Sequence, residues 1–163
     1  MPGPYTEVGL VEQPSLELLE QLGWTVVNAL SETLGAAGTL GRDSMHDAVL
    51  THKLRDALRW LNPQVPDSIR EEALTAVAKD RSRMDRVRAN REVYALLRDG
   101  YRAEWQGENG ERQYATVQYL DFRDSAKNDL LAASQVSVAG DLYRRRADTV
   151  LFVNGIPLVL LEF

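Results

Sequence analysis

The apolar positions of the chain switch period along its length. In the first half they recur at helical spacing. Leu16, Leu18, Leu19 and Leu22 give a mostly one-sided face, Pro14 suits a first helical turn and Gly23 suits the stop. A short strand is predicted over Trp24–Leu30 (WTVVNAL), followed by a small-residue loop over Gly35–Gly41. Met45, Val49, Leu54, Ala57, Leu58 and Leu61 predict a second helix from about Ser44 to Trp60. Asn62–Pro66 (NPQVP) breaks it, because each proline biases its predecessor away from helix. Further helices are predicted over Asp67–Lys79 and over Val87–Leu97, the latter stopping before Gly100. The turn signal Glu108–Gly110 then introduces strand-like segments rich in β-branched and aromatic residues: Gln113–Phe122, Leu130–Val138 and Thr149–Val153. The fold class is therefore α+β, helices followed by a mixed or antiparallel sheet, in one domain over residues 1–163.

The stretch Arg144–Phe163, RRRADTVLFVNGIPLVLLEF, carries the chemistry. Two apolar runs flank Asn154-Gly155, a strong hairpin signal. Both runs are almost wholly apolar, which predicts a hairpin buried on both faces in the middle of the sheet. The exceptions are Asp148, opening the first strand, and Glu162, near the end of the second; folding the hairpin brings both to one end of the sheet. Two carboxylates placed close together repel, and burying them without a cation or donors costs several kcal/mol each in rough terms. A divalent cation removes that conflict, and magnesium needs only one or two carboxylates. The alternative is that Asp148 terminates a strand and Glu162 is solvated. Register adds a condition. With a two-residue loop and a regular ladder, Asp148 opposes Leu161 and Glu162 points to the other face. A longer turn or a bulge is therefore expected, with Gly155 a natural place for positive φ.

Composition narrows the choices modestly. The 163 residues are 44% hydrophobic and 26% charged, enough for a real core. With no cysteine, zinc-thiolate sites, disulfides and thiol catalysis are excluded, in keeping with a cytoplasmic location. The N-terminus has no basic stretch followed by an apolar one, so no signal peptide is read, and the apolar runs are too short to span a bilayer. A net charge of −5 argues against a surface devoted to holding DNA, but not against a nuclease whose metal site needs carboxylates.

These residues resemble the N-terminal nuclease region of type I restriction enzyme R (HsdR) subunits. The likeness rests on Asn128-Asp129-Leu130 with Gln135, then Arg146-Ala147-Asp148, then Leu151-Phe152-Val153-Asn154-Gly155-Ile156-Pro157-Leu158, then Glu162-Phe163. Val11-Glu12-Gln13-Pro14 and Leu22-Gly23-Trp24 are similar to the family's opening helix; Asn90, Leu96-Leu97, Gly100 and Asp121-Phe122 are similar to its middle. The resemblance implies a restriction-endonuclease-like PD-(D/E)XK core with Mg2+ as cofactor. It implies Asp148 and Glu162 as metal ligands and Gln135 in a supporting role beside them. It implies Glu12 as an acid sent toward the metal by the first helix, with Glu7 a weaker candidate. The implied partners are double-stranded DNA and the methyltransferase and specificity subunits of a type I restriction complex. An ATP-consuming motor lies elsewhere in such proteins; no P-loop pattern occurs here. Ala147 departs from the usual proline. The motif's lysine would follow Phe163, so the chain as given is expected to bind metal weakly and to cleave poorly or not at all.

Other features have two readings each. Lys79, Arg81, Arg83, Arg86, Arg88 and Arg91, and separately Arg144–Arg146, either hold DNA phosphates or form solvated faces paired with acids. His46 and His52 are spaced wrongly for a shared helical metal site, and Trp60 and Trp105 fit packing better than base stacking. The rival to the nuclease is a catalytically inactive module of the same fold, used for DNA contact or subunit docking. A third possibility is an unrelated α+β interaction domain.

Overall fold

A computed structural model describes residues 8–140 and 143–163. The chain divides into two units, one made of residues up to His52 together with Asp129–Phe163, the other of Lys53–Asn128.

The first unit opens with a π-helical turn, Val8–Glu12, that runs into α1 (Gln13–Gln21). Pro14 lies in the first turn of α1, where a missing N–H costs no helical bond. Gly23 (φ +91°) ends it, its N–H donating to Glu20 O at 3.0 Å. After β1 (Thr25–Asn28) the chain crosses the segment expected to start a long helix. That expectation is corrected: α2 begins only at Thr51. Between residues 44 and 50 the backbone has other partners. Asp47 Oδ2 accepts the Ser44 N–H, Met45 O accepts the Ala139 N–H and the Leu50 N–H donates to Gly155 O. A buried Arg42–Glu32 ion pair (2.6 Å) pins the same loop, Arg42 also donating to Ser137 O.

The sheet of this unit runs β1-β4-β5-β6, with β4 (Leu130–Ala139), β5 (Arg144–Val153) and β6 (Ile156–Leu161). β1 pairs with β4 in parallel and the other pairings are antiparallel, so the mixed sheet is observed. Leu131, Ala133, Val150 and Phe152 of the central strands pack with Ala29, Leu40 and Leu50 in one core. The expectation that both hairpin strands are interior holds for β5 alone. β6 is an edge strand of this sheet, and Leu158, Val159 and Leu160 are 41%, 44% and 59% exposed. Pro157, which has no N–H to give, suits an edge.

The second unit holds α2 (Thr51–Leu61, from Lys53), α3 (Asp67–Ala78), α4 (Arg86–Asp99) and a hairpin of β2 (Tyr101–Gln106) and β3 (Arg112–Val117). β2 is not among the predicted strands; its apolar residues alternate with Arg102, Glu104 and Gln106, and it supplies the strand before the expected Glu108–Gly110 turn. The predicted strand over 113–122 stops at Val117. Beyond it the buried Asn62 takes over the ladder's role, accepting the Gln118 N–H (2.8 Å) and donating to Gln118 O (2.9 Å). Tyr119, wholly buried, donates its hydroxyl to Ala73 O at 2.6 Å.

Candidate active site at the end of the hairpin

The register condition is met by a bulge and not by a long turn. Val153 pairs with Ile156 across a two-residue turn, whose Asn154 (φ +53°) and Gly155 (φ +80°) match the type I′ hairpin turn. The ladder then slips: Phe152 pairs with Pro157 but Leu151 with Val159, leaving Leu158 as the extra residue of β6. Thr149 consequently pairs with Leu161, and one further step sets Asp148 across from Glu162. The Phe163 N–H donates to Asp148 Oδ2 at 2.9 Å, which fixes the two chain segments beside each other.

A second irregularity marks the same place on the other side of β5. The β4–β5 pairing runs from Leu130 to Ser134 and resumes at Val136, skipping Gln135 and the Asp148 opposite it. Gln135 has φ +58°, a left-handed conformation that costs an L-residue roughly 1–2 kcal/mol. Its side chain is thereby turned to Glu12, Nε2 donating to Glu12 Oε1 at 2.8 Å. Glu12 is 7% exposed. Together Glu12, Gln135, Asp148, Ser134, Arg146 and Phe163 line a cleft of about 490 Å³.

Of the residues singled out in the sequence, this cleft therefore gathers Asp148, Gln135 and Glu12. Glu162 is exposed and lines a neighbouring concavity of about 880 Å³ with Arg145, Arg146 and Tyr143; Arg146 belongs to both. Glu7 lies outside the described residues. Among the described residues no group of three His, Asp or Glu side chains is assembled for a metal ion. The cleft does hold two carboxylates, Glu12 and Asp148, and each receives only one hydrogen bond from a described residue. An ionised carboxylate accepts about four. Two such acids in one partly buried cleft, with oxygen donors to spare, fit a hard cation that takes one or two carboxylates and keeps its waters.

The other candidates fall elsewhere. Arg81 donates to Ala76 O, Val77 O and Lys79 O and stands 3.5 Å from Glu92, which also faces Arg88 at 3.6 Å, so part of the first basic stretch serves its own unit. His46 is exposed, and His52 packs against Gly41. Trp60 donates its indole N–H to Lys127 O at 2.9 Å. No helix among the described residues is long and apolar enough to cross a membrane.

The fold and the cleft define an α+β protein with an acid-lined cleft where a mixed sheet is interrupted, beside the edge hairpin. Residues 4–163 match the profile of the family described as "Type I restriction enzyme R protein N terminus", and the chain belongs to that family. It is 34% identical over 156 residues to the type I restriction enzyme HindI endonuclease subunit of Haemophilus influenzae, a match covering 93% of this chain and 14% of that protein. It is 31% identical over 162 residues to a protein of Methanocaldococcus jannaschii named as the putative MjaIXP endonuclease subunit of a type I restriction enzyme, covering 94% and 15% respectively. The chain thus spans about a seventh of the length of these curated relatives.

Proposed function

We propose that this chain is the DNA endonuclease domain of a type I restriction enzyme R subunit, with a PD-(D/E)XK core that hydrolyses phosphodiesters with magnesium. The observation that supports it most is the cleft in which a break in the β4–β5 ladder presents Asp148 and Gln135 to the buried Glu12. The relatives' names, both endonuclease subunits of type I restriction enzymes, support the same reading. Asp148 and Glu12 would hold the metal from the cleft, Glu162 would reach it from the adjoining concavity just beyond β6, and Gln135 orients Glu12 through its amide. Magnesium, when bound, supplies charge neutralisation at the phosphate and a more acidic water. The residues themselves position the scissile phosphate. In the longer protein, cleavage is coupled to ATP-driven movement of DNA by motor domains. There the subunit works in the cytoplasm with methyltransferase and specificity subunits.

Asp148→Ala or Glu162→Ala, placed in the whole subunit, abolishes DNA cleavage while leaving subunit assembly intact. Cleavage retained in both variants removes the site assignment. One observation favours the inactive-module reading: Glu162 lines the neighbouring concavity and not the cleft of Asp148. Calorimetric magnesium binding that disappears in Glu162→Ala counts against that rival.

A further inference from the structure

We propose that the concavity beside the cleft is the track for the DNA backbone, with Arg145 and Arg146 holding successive phosphates on the way to Asp148. This rests on the nuclease reading above and adds the substrate grip to it. Arg42, Arg55, Arg59, Arg70, Arg81, Arg88, Arg98 and Arg112 each face a carboxylate within 4.0 Å. Arg83, Arg86, Arg91, Arg102, Arg123 and Arg144–Arg146 are exposed and, among the described residues, form no ion pair. Of these, Arg145 and Arg146 line the concavity beside the cleft, and Arg144, Arg145 and Arg146 stand consecutively. Their partners across the ladder are Ala139, Val138 and Ser137, so no acid on β4 answers them.

Three adjacent cations on a strand end repel one another, and none has an opposite charge facing it across the β4–β5 ladder. In a chain of net charge −5 there are acids enough to neutralise them, and Glu162 lines the same concavity, yet among the described residues none comes within 4.0 Å of them as an ion pair. A run of arginines is the complement of a run of phosphodiesters, since each guanidinium offers a planar fork to one phosphate. A lone phosphate would need only one such fork. The shape agrees: the concavity has an apolar floor from Val138, Ala147 and Leu160, and Tyr143, 74% exposed, stands at its side with a ring open to a sugar or base. Arg146 also lines the cleft of Asp148, so a phosphate it holds has its neighbour within that cleft.

The test is binding of the chain to a short duplex of arbitrary sequence, followed by fluorescence anisotropy over a salt series without magnesium. The logarithmic salt slope changes by about 0.9 for each phosphate that the protein neutralises, so Arg145→Gln with Arg146→Gln lowers it by about 1.8. Arg145→Lys with Arg146→Lys retains most of the slope. Arg112→Gln, which removes a cation already paired with Glu104, leaves it unchanged. An unchanged slope in the double glutamine variant overturns the track, as does absence of binding by the unaltered chain at low salt. Asp148→Ala separates the two ideas: the track predicts its salt slope intact, while the nuclease reading predicts loss of cleavage in the whole subunit. Cleavage surviving Asp148→Ala with the arginine effect present removes the assignment of Asp148 to the metal site and leaves the DNA-binding track standing.

Discussion

At the turn end of β5, Asn154 is wholly buried, donates its N–H to Asp129 O and accepts the Asp129 N–H on its side-chain oxygen, both at 2.8 Å. At the cleft end, Asp148 is half-buried and accepts the single N–H of Phe163, while Gln135 across from it adopts a strained φ to reach Glu12. Both ends break the regular ladder and both contain a left-handed non-glycine residue. The difference lies in how much of the polar group's bonding the fold itself consumes. Asn154 is tied into the fold through both backbone and side chain, which makes it a structural device. The cleft carboxylates retain acceptor capacity, and the strained backbone beside them turns Gln135 to its hydrogen bond with Glu12.

The largest effect should therefore come from the turn end. Asn154→Ala places alanine at φ +53°, costing roughly 1–2 kcal/mol. It also leaves the Asp129 N–H without its acceptor, a loss of roughly 1–3 kcal/mol when buried. A destabilisation on the order of 3 kcal/mol is expected from urea unfolding, summing those two costs. Asn154→Gly should lose only the second part. A loss under about 1 kcal/mol in Asn154→Ala would put the turn in the same class as the cleft and break the comparison.

Gln135→Gly is the matched change at the other end. Glycine relieves the left-handed strain but costs roughly 0.4–1 kcal/mol through the freer unfolded chain. The two nearly cancel, so stability should move by less than about 1 kcal/mol. The hydrogen bond to Glu12 disappears, and magnesium affinity measured by calorimetry should fall. Stability falling as far as in Asn154→Ala would show that Gln135 is held for the sheet and not for the cleft.

Asp148→Asn should be smaller still in stability. Asparagine keeps an oxygen for the Phe163 N–H and removes a negative charge from the cleft shared with Glu12. The unfolding midpoint should stay level or rise, within about 0.5 kcal/mol, while cleavage by the whole subunit is abolished. A large destabilisation would mean that the carboxylate is spent on the fold after all.

Much of this contrast is legible in the chain, and the exceptions have physical causes. Asn154-Gly155 between apolar runs announces the turn, and the parity of Asp148 and Glu162 demands a slip that appears at Leu158. The place of the slip is hidden, because nothing local to Leu158 differs from its apolar neighbours. Periodicity over 44–50 suggests helix, but Met45 and Leu50 bond to Ala139 and Gly155, partners far away in sequence that no local pattern encodes. β6 reads as interior because its residues are apolar; edge position depends on which strands lie beside it. Within the cleft, Gln135 and Glu12 stand out through a family likeness, and their mutual hydrogen bond spans 123 positions. The left-handed φ of Gln135 has no sequence signal, since glutamine is an ordinary strand residue.

The smallest effect sharpens the comparison from the second unit. Asp121 is a carboxylate consumed by its own turn, Oδ1 accepting the N–H groups of Asp124 (3.0 Å) and Arg123 (2.9 Å). Those two backbone bonds, Asp124's first, hold its carboxyl below the usual 3.8, with Lys127 nearby assisting. A folded-state value below the unfolded one means that the unfolded chain binds the proton first. The stabilisation is therefore complete above the unfolded value and is lost as pH falls below 3.8 and through the folded one. Asp121→Asn keeps an oxygen for both N–H groups but cannot take up that proton. Urea midpoints followed down this range should thus decline less steeply in Asp121→Asn than in the unaltered chain. Parallel declines would mean that the turn does not use the charge, and Asp121 would then stand with Asp148 as a carboxylate whose ionisation the fold does not need.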